Sequence, residues 1–128
     1  MEHKTTIWHN PLCGTSRNVL AMIRDAGIEP QVVEYLRSPP DRATLEAVLA
    51  RMGVPARELV RRKEPLYASL GLDQADDEAL LEAMLAHPVL INRPVVITAD
   101  AARLCRPSET VLEILPQAQV QSSMPSRR

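Results

Sequence analysis

The sequence predicts an α/β fold: a mixed four-stranded sheet, with a helical insert between a βαβ half and a ββα half. Three observations carry this. Two short runs, Thr5-Thr6-Ile7-Trp8 and Gln31-Val32-Val33-Glu34-Tyr35-Leu36, read as strands and flank Val19, Leu20, Ile23 and Ala26 at three- and four-residue spacings. Roughly 45 residues of helical pattern follow. Val95-Val96-Ile97-Thr98 and the run from Ala101 to Cys105 are then separated only by Ala99-Asp100, a link short enough to make them an antiparallel hairpin.

In chain order, the first strand is expected at about 4–8 and the first helix at about 14–26, with Gly27 as its stop. The second strand is expected at about 31–36. Strand, helix, strand of this length is a right-handed crossover that sets the two strands parallel. Ser38-Pro39-Pro40-Asp41 breaks the chain, and Asp41 suits a helix N-cap. Leu45, Val48, Leu49 and Met52 give the next helix an apolar face, and Gly53 ends it. A short helix is expected from Val54-Pro55 to about Arg62, with Pro55 in its first turn, and another from Pro65 to Leu70. Asp76, Asp77 and Glu78 favour a further helix start, whose buried face is Leu80, Leu81, Met84 and Leu85. After the hairpin, Ser108 can cap a last helix carrying Val111, Leu112, Ile114 and Leu115. Helices on both faces of such a sheet make a thioredoxin-like three-layer fold. Residues 1–117 are expected to form a single domain with its helical insert at about 41–87, and 118–128 a flexible polar tail.

Composition narrows the function classes. The chain has 128 residues, enough for one hydrophobic core. With no Phe, one Trp and two Tyr, that core must be built from aliphatic side chains. A net charge of −1 gives no overall field for nucleic acid or an anionic membrane. No apolar run approaches the ~20 residues that span a bilayer. Two cysteines without an export signal point to reduced thiols and a cytoplasmic location.

The chemistry centres on His9-Asn10-Pro11-Leu12-Cys13-Gly14-Thr15-Ser16-Arg17-Asn18. Cys13 stands where the first strand hands over to the first helix. The first N–H groups of a helix lack carbonyl partners and carry partial positive charge, so an anion is stabilised there. A cysteine at that point loses its proton more easily, and the thiolate is the nucleophile. Gly14 would let a ligand approach the backbone closely. Thr15 and Ser16 offer hydroxyls to a thiolate or to bound oxygens. Ser16 also stands where a Cys-x-x-Cys pair would have its second thiol, so a resolving thiol must come from elsewhere. His9 either adds positive charge or acts as a plain hydrogen-bonding residue. Arg93 precedes a strand whose start would lie beside the Cys13 loop, and Arg106 ends the hairpin's second strand. Taken alone, each reads more readily as half of a surface ion pair; the other reading is that guanidinium groups there bind an oxyanion in two-pronged fashion.

The Cys13 segment resembles the signature of the glutaredoxin-dependent arsenate reductases. So do Leu90-Ile91-Asn92-Arg93-Pro94-Val95-Val96 and Arg103-Leu104-Cys105-Arg106-Pro107-Ser108-Glu109. The resemblance runs from about residue 4 to 117. It implies that Cys13 attacks arsenate, that Arg61, Arg93 and Arg106 bind the oxyanion, and that the bond before Pro94 is cis. It also implies arsenate(V) reduction to arsenite(III) for arsenic detoxification, with glutathione as co-substrate, glutaredoxin as protein partner and no tightly bound cofactor or metal. A monomer is expected.

Two other readings carry weight. A glutathione-dependent thiol/disulfide reductase of the same fold would have no use for oxyanion-binding arginines, since a disulfide is uncharged. A non-enzymatic RNA-polymerase-binding redox regulator commonly uses a Cys-x-x-Cys switch, which Ser16 removes. A low-molecular-weight phosphatase-like reductase needs five residues between cysteine and arginine, whereas only Gly14, Thr15 and Ser16 separate Cys13 from Arg17.

Overall fold

The computed structural model describes residues 5–115, so the expected tail at 118–128 lies outside the described residues. By its backbone contacts the chain divides into two compact units, one made of the segments ending at Glu34 and beginning at Arg93, the other of Tyr35–Asn92.

The first unit holds the sheet. Its strands are β1 (Thr6–Trp8), β2 (Gln31–Val33), β3 (Val95–Ile97) and β4 (Ala102–Leu104), in the order β2-β1-β3-β4. β1 runs parallel to β2, with Ile7 opposite Val32, and antiparallel to β3, with Ile7 opposite Val96. β3 and β4 form the expected hairpin. Its turn is tied by Thr98, whose Oγ1 accepts from the N–H groups of Asp100 and Ala101. This is the mixed, thioredoxin-like sheet that the order of elements predicts. Helix α1 (Gly14–Asp25) buries Val19 and Ile23 with Ile7, Val96, Cys105, Val111, Ile114 and Leu115 in one aliphatic cluster. Burial removes each of these side chains from water at about 25 cal/mol per Å² of apolar surface, and Cys105 takes part simply as a small hydrophobe.

Two expectations about this unit change. β2 ends at Val33 rather than near Leu36, because Tyr35 belongs to the second unit, where its hydroxyl donates to the Ile91 carbonyl at 3.3 Å. The closing element is a 3-10 helix over Ser108–Glu113, and Ser108 is its first residue rather than its cap. The Pro107 carbonyl accepts the first bond, from the Thr110 N–H. A three-residue repeat suits the spacing of Val111 and Ile114, which are buried, and leaves Leu112 exposed.

The second unit is helical. In α2 (Arg42–Met52) the Asp41 side chain accepts from the Thr44 N–H at 2.8 Å, as a good N-cap should. Gly53 closes it at φ 72°, a left-handed conformation that costs glycine nothing. α3 spans Pro65–Ser69 and α4 spans Asp77–Ala86, the latter capped by Asp76. Leu45, Leu59, Leu80, Met84 and Leu90 are fully buried. The helix expected from Val54 to Arg62 shrinks to a single 3-10 turn, Ala56–Glu58, with Pro55 just before it. Long-range backbone bonds win beyond it: Val60 bridges Ile91, the Arg61 N–H donates to Leu90, and the Asn92 N–H donates to Leu59. Arg57 ties the unit internally, donating to the Tyr67 hydroxyl at 3.0 Å and to the Ala75 carbonyl.

Among the described residues, no helix is long and apolar enough to cross a membrane.

Candidate active site

Cys13 is the N-cap of α1, with extended backbone (φ −94°, ψ 122°), so its Sγ stands at the open end of the helix. Its carbonyl accepts from the Arg17 N–H, and its own N–H donates to the Asn10 carbonyl at 3.0 Å. The side chain is partly accessible. Arg106 Nη1 donates to Cys13 Sγ at 3.7 Å and to the Arg93 carbonyl at 3.0 Å. One guanidinium is thus held by the backbone of Arg93 and aimed at the sulfur. The peptide bonds before Pro94 and before Pro107 are both cis, the first as the resemblance implies.

Burial alone would raise the Cys13 thiol. The Ser16 backbone N–H and the guanidinium groups of Arg93 and Arg106 hydrogen-bond to the sulfur and outweigh burial, bringing the pKa down to about 7 from the ordinary 9.0. Cys13 is then ionised at neutral pH to a far greater extent than an unassisted thiol. Cys105 shows the contrast. It is fully buried, its Sγ donates to the Arg103 carbonyl at 3.7 Å, and burial pushes its thiol up to about 12. It is inert at physiological pH. Replacing Cys105 with alanine is therefore expected to retain most turnover, measured in steady state. An obligatory Cys13–Cys105 disulfide trapped by mass spectrometry during turnover would contradict this.

The other residues singled out by sequence occupy distinct places. His9 is buried, and its Nδ1 lies 2.6 Å from Ser16 Oγ. Desolvation holds the imidazole below its usual pKa despite the attraction of Glu34, so it is neutral near pH 7. Of its two expected roles, hydrogen bonding is the one this geometry supports. Ser16 is also fully buried, and its hydroxyl accepts from the Asn10 N–H at 3.1 Å. Its hydroxyl is turned to His9 and Asn10, and its backbone N–H serves the sulfur. Thr15 is partly exposed. A Cβ added at Gly14 would meet only the Arg17 guanidinium, at 3.8 Å, so among the described residues no tight protein contact demands glycine there. Space against the Gly14 backbone is left for a ligand.

Cys13, Arg93, Arg106, His9, Gly14, Thr15 and Ser16 all belong to the first unit. Arg61 belongs to the second, where its Nη1 donates to Asn92 Oδ1 at 3.3 Å and it is half-buried, while Arg62 is exposed. Two residues escaped sequence reasoning. Asn10 bonds the loop at three points, and Arg17 Nη1 donates to the Pro11 carbonyl at 2.9 Å. The Asn10-Pro11 pair, a turn-initiating dipeptide, was the available signal.

A thiolate at a helix start beside two guanidinium groups can attack an electrophilic centre while its anionic oxygens are held. Among the described residues no group of three or more His, Cys, Asp or Glu side chains is placed to hold a metal ion. The sequence model of the ArsC family matches residues 8–114. The chain belongs to the ArsC family. Its similarity to curated members is high: it is 61% identical over 113 residues to an arsenate reductase of Rhizobium meliloti (strain 1021), covering 87% of this chain and 81% of that protein. It is 54% identical over 116 residues to an arsenate reductase of Escherichia coli (strain K12), covering 89% and 82%. Among ArsC-type structures, an arsenate reductase from Vibrio cholerae superposes with a TM-score of 0.85 at 42% identity, covering 90% of this chain and all of that one.

Proposed function

We propose that this ArsC-family protein is an arsenate reductase, converting arsenate(V) to arsenite(III) with Cys13 as nucleophile. The observation that carries the reading is a single one: Cys13 Sγ, at the start of α1, accepts a hydrogen bond from Arg106 Nη1 at 3.7 Å, in a setting that brings the thiol to about 7. Arsenate carries negative charge and an electrophilic arsenic centre, so it needs both a thiolate and fixed cations. The names of its relatives support the same substrate.

In this mechanism Cys13 Sγ forms a bond to arsenic, and one arsenate oxygen leaves as water after taking up protons. Arg93 and Arg106 hold the remaining oxygens. Glutathione thiolate displaces a second oxygen, giving a sulfur–arsenic–sulfur species. A glutaredoxin thiolate then attacks the glutathione sulfur, and the electron pair of the arsenic–glutathione bond stays on arsenic. Arsenic(V) becomes arsenic(III) as two thiols become one mixed disulfide, and water releases arsenite from Cys13. The thiols carry all the electrons, so no tightly bound cofactor is required. The protein acts here as a monomer in a reducing cytoplasm, with no nucleic acid or membrane partner.

The test is arsenite production by the purified protein supplied with arsenate, glutathione and glutaredoxin, with thioredoxin in place of glutaredoxin as control. Arsenite formed with the glutathione system and not with thioredoxin is expected. No arsenite under either condition, together with reduction of a small disulfide, would favour the thiol/disulfide reductase instead.

A further inference from the structure

We infer that Asn10 is the positioning residue that holds the Cys13 loop in its reactive geometry; the inference rests on the arsenate reductase reading for its consequence in turnover. Three bonds converge on this one side chain and its backbone. Asn10 Oδ1 accepts from the Leu12 N–H at 2.9 Å, the Asn10 carbonyl accepts from the Cys13 N–H at 3.0 Å, and the Asn10 N–H donates to Ser16 Oγ at 3.1 Å. The first is an Asx turn, the second a β-turn closing over Pro11 and Leu12, and the third reaches across to the first turn of α1.

The consequence follows from where these bonds end. Ser16 is fully buried and Asn10 is nearly so, so their bond is shielded from competing water. It fixes Ser16, whose backbone N–H is one of the groups that lower the Cys13 thiol. The two turns fix the Cys13 backbone on the other side. Arg17 braces the same loop from outside, through its bond to the Pro11 carbonyl. Leu12 is 88% exposed, so its side chain contributes no packing that could hold the loop in place. Polar bonds do that work, and Asn10 makes most of them.

Loss of the Asn10 amide oxygen leaves the Leu12 N–H without its acceptor and loosens the loop. The hydrogen bonds from Ser16, Arg93 and Arg106 to the sulfur are sensitive to that displacement, whereas the opposing effect of burial is not. The thiol must then titrate at higher pH. Asn10→Ser keeps a short acceptor suited to the same turn. Asn10→Asp keeps the acceptor but adds an anion beside the thiolate.

The experiment follows iodoacetamide alkylation of Cys13 against pH, resolved by mass, for wild type, Asn10→Ala, Asn10→Ser and Asn10→Asp. Thermal unfolding and arsenate kinetics accompany it. Asn10→Ala is expected to move the alkylation midpoint up by about one pH unit and to lower kcat by about 10- to 100-fold with little change in the KM for arsenate. Asn10→Ser is expected to recover most of both losses. Asn10→Asp is expected to unfold near the wild-type temperature and yet titrate higher. A folded Asn10→Ala whose alkylation profile coincides with wild type would overturn the inference; if Asn10→Ala does not fold, an Asn10→Ser midpoint about one pH unit above wild type, despite its retained acceptor, would overturn it instead. Because alkylation needs no arsenate, that result is separate from failure of the functional reading, which would appear as absent arsenite production by wild type with its alkylation midpoint unmoved.

Discussion

Replacing Cys13 with serine is expected to lower arsenate turnover by at least about 1,000-fold while the chain stays folded. A serine hydroxyl remains protonated at every pH the protein tolerates, so the Ser16 N–H and the two guanidinium groups would face a neutral oxygen that cannot attack arsenic. The partly accessible position at the helix N-cap means that one sulfur-to-oxygen exchange removes little packing, and the fold should survive. The check is arsenite formation in steady state beside a thermal unfolding curve. Retention of a tenth of wild-type turnover by a folded Cys13→Ser protein would remove Cys13 from the nucleophile role.

The arginines should give the second largest effect, and burial should rank them. Losing a charge-assisted hydrogen bond costs about 1.5–3 kcal/mol, which corresponds to about 10- to 150-fold in kcat/KM. Arg93 is half-buried and Arg106 is exposed, so water replaces a lost Arg106 contact more readily, and Arg93→Ala should fall nearer the upper end. Arg106→Ala removes a group that bonds both Cys13 Sγ and the Arg93 carbonyl, so the two losses should not add when combined. Lysine at either position keeps the charge without the planar fork and should recover only part of the loss. The measurement is kcat/KM for arsenate in the four single variants and the double alanine variant. Turnover unchanged in both single alanine variants would sink the oxyanion site and make the thiol/disulfide reductase the better reading.

Much of this was readable in the sequence because the decisive signals are local. Asp41 and Asp76 cap the helices they precede, Gly53 ends one with positive φ, and the two-residue link at Ala99-Asp100 forces an antiparallel hairpin. The Cys13 junction also follows from local pattern, since a strand run ends just before a helical period begins. What could not be read depends on partners far along the chain. Val54 to Arg62 has a plausible helical pattern, but Val60 and Arg61 find backbone partners some 30 residues later, at Ile91 and Leu90. Tyr35 has strand propensity, yet its hydroxyl bonds the Ile91 carbonyl in the second unit. The same limit applies within the site. Hydroxyl donors at Thr15 and Ser16 were evident, but nothing local says that the Ser16 hydroxyl turns to His9 and Asn10 and offers the sulfur only a backbone N–H. Nor does local pattern say that burial keeps His9 neutral.

The central claim is that Cys13 is a thiolate at neutral pH because Ser16, Arg93 and Arg106 hold it so. The most direct measurement is the rate of Cys13 alkylation by iodoacetamide in the wild-type protein as a function of pH, with the adduct located by mass. The rate should rise with pH along a single titration whose midpoint lies near 7, and Arg93→Ala or Arg106→Ala should each displace that midpoint upward. A wild-type midpoint at the ordinary thiol value of 9.0, unmoved by either substitution, would contradict the account.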